Sequence, residues 1–511
     1  MKGFLGEPGR LSLKPETVTE PRYHHLERAE HPEKLRRIAI DPVTRVEGHG
    51  KVTILLDENH QVRQVRLHIV EFRGFEKFVQ GRPFFEVPIL VQRLCGICPV
   101  SHLLAGAKAV DEIVGAGKLT PTAEKLRRLL HYGQVLQSHA LHFFHLASPD
   151  LLFGFDTEAE RRNILEVLRE ERFREIALKG IKLRKFGQEV IRAVIGKRIH
   201  GTGCVPGGMN KHLTPEEGRA LAGEVEDVIS WAREGLALVK QLYLKNRALY
   251  DRFARIDSLF LSLVRPGGSH ELYDGRLRVR DERGRLLFDQ ISDHDYLDFI
   301  HEEVKSWSYM KFPYLAPLGP EVGWYRVGPL ARINNCDFLN TPLAEAARRE
   351  LLELGNGKPV QSSLAYHWAR MVEILHCAEK IEQLLGDPDL YRGELVVEGE
   401  RREEGIGVIE APRGTLIHHY QVDDDGLVTK ANLIVATTHN NTAMNEAIRQ
   451  VAVEYLDGKE ITEPLLNRIE IALRAYDPCL SCATHAVGKM PLLVTLVDAE
   501  GRLLDQKARG G

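Results

Sequence analysis

A chain of 511 residues with 69 basic and 72 acidic side chains has a formal charge of −3, so neither sign is in sufficient excess to point to nucleic acid or an anionic membrane surface. No apolar run approaches the ~18–20 residues that cross a bilayer, and Glu7, Pro8 and Arg10 interrupt the start. Neither a membrane span nor a secretory leader is expected, and the chain reads as cytoplasmic.

Taken in order, residues 1–40 are charged and irregular, with Pro8, Pro15, Pro21 and Pro32 breaking any helical pattern, and read as an extension draped over the body or a partner. From Lys51 to Val70, apolar alternation on either side of Asp57-Glu58-Asn59-His60 predicts a β-hairpin. Thr120-Pro121, Thr214-Pro215 and Thr341-Pro342 read as helix starts, the second with Glu217 completing a capping box. Helices are predicted at about 121–147, 157–197, 215–250, 343–354, 361–386, 441–456 and 463–475, the bounds good to ~2–4 residues. Strands are expected within 274–291 and 406–435, and a further hairpin after residue 490. The glycine-rich stretch Gly201–Gly208 lacks the third glycine of a dinucleotide fingerprint and reads as a loop. Together these predict an α+β fold, predominantly α: a long-helix bundle with small peripheral hairpins and sheets.

Two stretches stand apart. Arg93-Leu94-Cys95-Gly96-Ile97-Cys98-Pro99-Val100-Ser101-His102 and Asp477-Pro478-Cys479-Leu480-Ser481-Cys482-Ala483-Thr484-His485 each hold a C-x-x-C with a histidine just after it. Thiolates are soft ligands for zinc, copper(I), nickel and iron, and two such pairs would supply four sulfurs to one site if the ends of the chain meet. Structural zinc is one reading, but ribbon knuckles usually lie about 15–20 residues apart, whereas nearly the whole chain separates these. A helical run after Cys98 places the first pair near a helix N-terminus, where partial positive charge favours thiolate. The other cysteines, Cys204, Cys336 and Cys377, are an odd, scattered set that reads as small buried residues.

With these motifs the chain resembles the large subunits of nickel-iron hydrogenases. The resemblance extends over most of residues 41–485, including Arg45-Val46-Glu47-Gly48-His49, Phe72-Arg73-Gly74-Phe75-Glu76 and Glu410-Ala411-Pro412-Arg413-Gly414. It implies the large-subunit fold, reversible cleavage of dihydrogen, and a nickel-iron centre whose iron carries carbon monoxide and cyanide installed by maturation proteins. By motif position, Cys95 and Cys479 would bind nickel terminally, Cys98 and Cys482 would bridge to iron, and a terminal thiolate would first accept a proton.

The resemblance carries further roles residue by residue. Glu47 corresponds to the glutamate that passes the proton on, although a glutamate in such a loop is otherwise an ordinary salt-bridged acid. Arg413 matches the arginine over the open metal position and Asp477 the acid that fixes it. His102 matches the histidine that hydrogen-bonds a bridging sulfur. Ser138 departs from the pattern of many membrane-bound relatives, whose aspartate there also pairs with the arginine, so a second partner for Arg413 is in question. His139, His142 and His145 lie on one helix, but their aromatic setting favours packing over metal binding. Glu76, the Leu433 carbonyl and His485 resemble the ligands of a magnesium ion; oxygen ligands suit that hard cation, while the histidine rests on resemblance alone.

Residues 486–511 correspond to a tail removed on maturation by an endopeptidase after nickel-insertion proteins have acted. With no further cysteine cluster in the chain, iron-sulfur clusters belong to a small-subunit partner. The stretch from Glu71 to His102 is most similar to cytoplasmic bidirectional hydrogenases that reduce NAD, which would place flavin and NAD in diaphorase subunits. Relatives that use a deazaflavin, a disulfide reductase or polysulfide, and dihydrogen sensors, share the motif and remain alternatives. A quinone-reducing complex subunit of the same ancestry would lack the four cysteines.

Overall fold

The computed structural model describes residues 35–456 and 462–484, together with the backbone of two paired strands, Leu492–Val497 and Leu503–Arg509. His485 and most of the tail lie outside the described residues, as do residues 1–34. Four long helices, Pro121–Leu141, Glu171–Ile195, Pro215–Lys245 and Ala365–Leu385, pack side by side as the central bundle. Glycine sets the closest crossing: a Cβ on Gly133 would lie 2.8 Å from Val190 Cγ1, and one on Gly187 would lie 2.6 Å from the Gly133 carbonyl oxygen. The Thr214–Glu217 capping box forms, and Thr120 accepts a hydrogen bond from the Ala123 N–H. Thr341 also stands at the N-cap of its helix, Pro342–Leu352, but its hydroxyl bonds His376 Nδ1 at 2.7 Å and makes no capping hydrogen bond.

Three details differ from the expected helices and strands. The helix predicted at 121–147 turns π-helical over His142–Ala147, and that predicted at 157–197 breaks at the extended residue Glu170, between Ile164–Arg169 and Glu171–Ile195. Arg36–Ile40, expected to be irregular, pairs antiparallel with Gly50–Leu56 and makes the predicted hairpin a three-stranded sheet.

A second sheet orders Tyr325–Arg326, Leu259–Val264, Arg276–Arg280 and Leu286–Ile291. The third is a meander of Glu404–Ala411, Gly414–Val422 and Val428–Ile434. The sheets are small, as expected, but the third is not peripheral: nearly every residue of its first two strands is buried. Helix Pro99–Ile113 lies directly on it, because Cβ atoms on Gly405 and Gly407 would come within 2.0 Å of the carbonyl oxygens of Ala109 and Ala105. Strands buried on both faces lose the apolar/polar alternation by which a sequence places a sheet inside or outside.

The two ends of the described chain converge. Glu47 bridges Cys479 in parallel register, Leu480 N–H donates to the Glu47 carbonyl at 2.9 Å, and the N–H groups of Arg73 and Gly74 donate to the Thr484 carbonyl at 3.0 and 3.1 Å. Arg474 donates to the Thr44 carbonyl at 3.0 Å and to Asp150 Oδ2 at 2.9 Å. Arg45 reaches the same carboxylate, through Oδ1 at 2.5 Å. One buried carboxylate thus clamps the loop that carries Glu47 to the helix that leads into the second motif.

Candidate metal centre

Cys95 follows a single turn, Gln92–Leu94, and Cys98 caps the helix Pro99–Ile113, with proline at its first position. The N–H groups of Ile97 and Cys98 point at Cys95 Sγ, at 3.2 and 3.4 Å. Asp477, held at φ +54°, turns the chain into Leu480–Cys482, and the Cys479 N–H donates to Thr437 Oγ1 at 3.0 Å. A backbone in this left-handed region is tolerated by aspartate better than by most residues.

All four sulfurs lie within 4.8 Å of one another and are buried. Cys95 Sγ is 3.5 Å from Cys479 Sγ, Cys98 Sγ is 3.8 Å from Cys482 Sγ, and Cys479 and Cys482 approach to 2.7 Å. Hydrogen bonds from the sulfurs of Cys479, Cys482 and Cys95, with a further one from His102, outweigh burial and hold Cys98 well below the ordinary thiol range. Burial raises Cys479 and Cys482. Four soft donors, crowded and buried, with the Cys98 thiol made more acidic by its neighbours, fit a thiophilic cation that replaces the shared protons.

Charged groups surround this cluster. Glu47 Oε2 accepts from Cys479 Sγ at 3.0 Å and from the Ser481 N–H at 3.2 Å, while the Ser481 hydroxyl donates to Oε1. Gly48, at φ +81°, lets this loop approach: a Cβ there would lie 2.6 Å from Ser481 N. Arg413, in the turn between the two buried strands of the third sheet, donates through Nε to the Asp477 carbonyl at 2.5 Å and through Nη2 to its Oδ1 at 2.9 Å. Arg413 and His102 line a small pocket with Cys98, Cys479 and Cys482. Burial opposes the charge of Arg413, yet Asp477 and the cysteine sulfurs outweigh it and push the guanidinium above its ordinary value. Burial raises the Asp477 carboxyl, against the pull of Arg413 and Arg370. Arg413 Nη1 and Ser138 Oγ are both buried without a hydrogen-bond partner among the described residues, so Ser138 does not replace the aspartate of the membrane-bound pattern. An unmatched N–H edge in a pocket of sulfurs is a donor held ready for a further group.

His102 Nδ1 lies 3.2 Å from His418 Nε2, and His418 Nδ1 lies 2.7 Å from the Tyr420 hydroxyl. Glu76 and Leu433 are adjacent, but the contact is a 2.9 Å bond from the Leu433 N–H to Glu76 Oε1 and does not involve the Leu433 carbonyl. The three helix histidines go to hydrogen bonds and packing: His139 Nε2 meets Glu373 Oε2 at 2.8 Å, His142 donates to the Arg474 carbonyl at 2.8 Å and stacks on His367, and His145 is half-buried. Sequence reasoning passed over Thr437, Ser481 and His418. Ser481, inside the second C-x-x-C, carried a positional hint; the other two become neighbours only through folding.

The profile described as "Nickel-dependent hydrogenase" matches residues 73–153 and 254–485, and one described as "HoxL-like" matches residues 37–72. The chain belongs to the nickel-dependent hydrogenase family. This hydrogenase chain is 50% identical over 489 residues, 93% of its length and 100% of the relative's, to "NAD-reducing hydrogenase HoxS subunit beta" of Cupriavidus necator. It is 41% identical to a subunit of the F420-non-reducing hydrogenase of Methanothermobacter thermautotrophicus, covering 92% of this chain and 99% of that one. Among solved structures, a NAD+-reducing nickel-iron hydrogenase in the H2-reduced state superimposes with a TM-score of 0.86 at 56% identity, covering 88% of this chain and 99% of that one. The Ni-Fe-Se hydrogenase of Desulfovibrio vulgaris Hildenborough superimposes with a TM-score of 0.71 at 26% identity, over 88% and 100% of the two chains. The hydrogenase chain is a large subunit of the nickel-iron class, with four cysteines placed for its metal site. Among its described residues no helix is long and apolar enough to cross a membrane.

Proposed function

We propose that this large subunit cleaves dihydrogen reversibly into two protons and two electrons, and that the electrons pass through an iron-sulfur small subunit to NAD. The observation that carries the reading is the junction of the two C-x-x-C pairs into one buried four-sulfur site, with Glu47 hydrogen-bonded to it and Arg413 lining its pocket. Cys95, Cys98, Cys479 and Cys482 would hold nickel, with Cys98 and Cys482 shared with an iron that carries carbon monoxide and cyanide. When bound, this pair supplies a Lewis-acidic, redox-active place for dihydrogen to be polarised and for its electrons to leave.

The chain's own residues handle the proton. Cys479 Sγ can hand a proton to Glu47 Oε2 across 3.0 Å, a distance suited to general base work. Ser481, donating through its N–H and its hydroxyl, keeps that carboxylate facing the sulfur. Arg413 remains a cation at any working pH, so it can orient and polarise a group in the pocket while its bond to Asp477 fixes its direction. His102, braced by His418, tunes the Cys98 sulfur. Glu76 and the Leu433 carbonyl, neighbours through the Leu433 N–H, would supply oxygen ligands to a magnesium ion, with His485 as the third ligand that the resemblance implies.

The identities to NAD-reducing relatives support NAD as the acceptor, with flavin and NAD sites in partner diaphorase subunits. The 41% identity to an F420-non-reducing relative keeps a different acceptor as the second reading. Maturation by nickel-insertion proteins and an endopeptidase that removes residues 486–511 belongs to the same proposal. Infrared spectroscopy and metal analysis of the purified complex test the centre, and dihydrogen-dependent NADH formation tests the acceptor. Zinc without diatomic bands would overturn the first; dye reduction without NADH formation would overturn the second.

A further inference from the structure

Behind the turn that carries Arg413 lies a buried group of charges with no part in the proton route. Arg332, in the helix Pro329–Asn335, is completely buried and spends its guanidinium on five hydrogen bonds. Nε and Nη2 grip the two oxygens of Glu373, each at 2.6 Å. Nη1 donates to Glu410 Oε2 and to the Ala411 carbonyl, both at 2.9 Å, and Nη2 also donates to the Pro412 carbonyl at 3.1 Å. The two residues directly before Arg413 are therefore held by one side chain.

Each end of this brace is anchored. Glu373, in the central helix Ala365–Leu385, is also met by His139 Nε2 at 2.8 Å and His270 Nε2 at 3.2 Å. Glu410 Oε1 accepts from the Leu263 N–H at 2.9 Å and the Thr415 hydroxyl at 2.7 Å. The far side of the turn is closed by shape: a Cβ on Gly328 would lie 2.8 Å from the Arg413 carbonyl oxygen, and one on Gly414 would lie 2.2 Å from Val327 Cγ2. A buried ion group with one excess carboxylate is costly, and apolar packing would often stabilise a core as well or better, so its use is better sought in geometry than in stability.

We propose that Arg332, through Glu373 and Glu410, is a positioning residue that aims the Arg413 guanidinium into the four-cysteine pocket. This rests on the role given to Arg413 above. A guanidinium at the end of a flexible stem points reproducibly only if its backbone is fixed, and a misplacement of about 1 Å at a reacting centre costs on the order of 10²-fold in rate.

The test uses the assembled, metal-loaded enzyme with Arg332→Lys, Arg413→Lys and the double variant, measuring kcat and KM for dihydrogen, nickel content and the infrared bands. Lysine keeps the charge at 332 and loses the fork. The expected result for Arg332→Lys is a kcat lower by about 10–100-fold with KM little changed, nickel retained and the bands displaced. It should also add no further loss in the Arg413→Lys background. Multiplying losses, or nickel falling in step with activity, would overturn the brace and leave an ordinary structural ion group. If Arg332→Lys does not accumulate, Glu410→Gln is read through the same cycle; wild-type rate and bands there would overturn the proposal. Full turnover in Arg413→Lys alone would refute the role of Arg413 instead, a distinguishable failure.

Discussion

Replacing Glu47 by glutamine removes one function and little shape. The carboxylate accepts from Cys479 Sγ at 3.0 Å, from the Ser481 N–H at 3.2 Å and from the Ser481 hydroxyl. Glutamine offers one carbonyl oxygen and an NH2 in the same volume, so Ser481 keeps a partner, but no atom can take the proton from sulfur. Charge-assisted hydrogen bonds to a half-buried group contribute about 1–3 kcal/mol, so the loop should stay folded. A positioned general base is worth typically ~10²–10⁴-fold, which is the loss expected in turnover with dihydrogen. The assay is exchange between deuterium gas and water protons, run beside nickel analysis and infrared spectra. Exchange should fall by that factor with nickel and bands retained. Undiminished exchange in Glu47→Gln would remove Glu47 from the proton route; lost nickel would make it a structural residue.

Cys482→Ser should reduce bound nickel to roughly a tenth or less, because a hydroxyl is a poor ligand for a soft metal, and elemental analysis of the purified complex reads this directly. Gly180→Ala should lower the unfolding temperature by a few degrees without changing turnover per nickel, since its Cβ would lie 2.2 Å from Phe144 Cγ and overpacking costs about 1–3 kcal/mol. Acid should destabilise the protein in two stages. Burial holds His131 and His139 down at about 4, below the ordinary 6.5, so their contribution is complete above pH 6.5 and is lost as pH falls through 4. Glu271 is buried, which would raise it, but Arg128 and Arg265 hold it at about 2 against an ordinary 4.5, so about 3 kcal/mol, present above pH 4.5, is lost as pH falls towards 2. Glu271→Gln should flatten the lower stage of a plot of unfolding temperature against pH, and an unchanged slope would refute the assignment.

Much of the helical framework was legible because periodicity and caps are local: Thr214 and Glu217 announced their helix, and 441–456 emerged at the expected residues. The break at Glu170 and the π-turn over His142–Ala147 were not, since the flanking residues are acceptable helix formers and packing decides the departure. Arg36–Ile40 looked irregular because an edge strand with exposed arginines has little apolar signal until Gly50–Leu56 pairs with it. In the site, Cys95, Cys98, Cys479, Cys482, Glu47 and Arg413 stood in recognisable motifs. His418, Thr437 and Arg332 have no motif, and each acquires meaning only from what folding sets beside it.

Ligand chemistry was written in the one-dimensional text: thiols in two spaced pairs offer a site for a soft metal, and the resemblance their motifs carry implies the parts of the acid before Gly48 and the arginine after Pro412. Which oxygen faces which sulfur was decided in three dimensions. Residues hundreds of positions apart meet because the bundle and the buried meander draw the two cysteine motifs together. Hydrogen bonds and ion pairs act over a few ångströms of space, and separation along the chain says nothing about that distance.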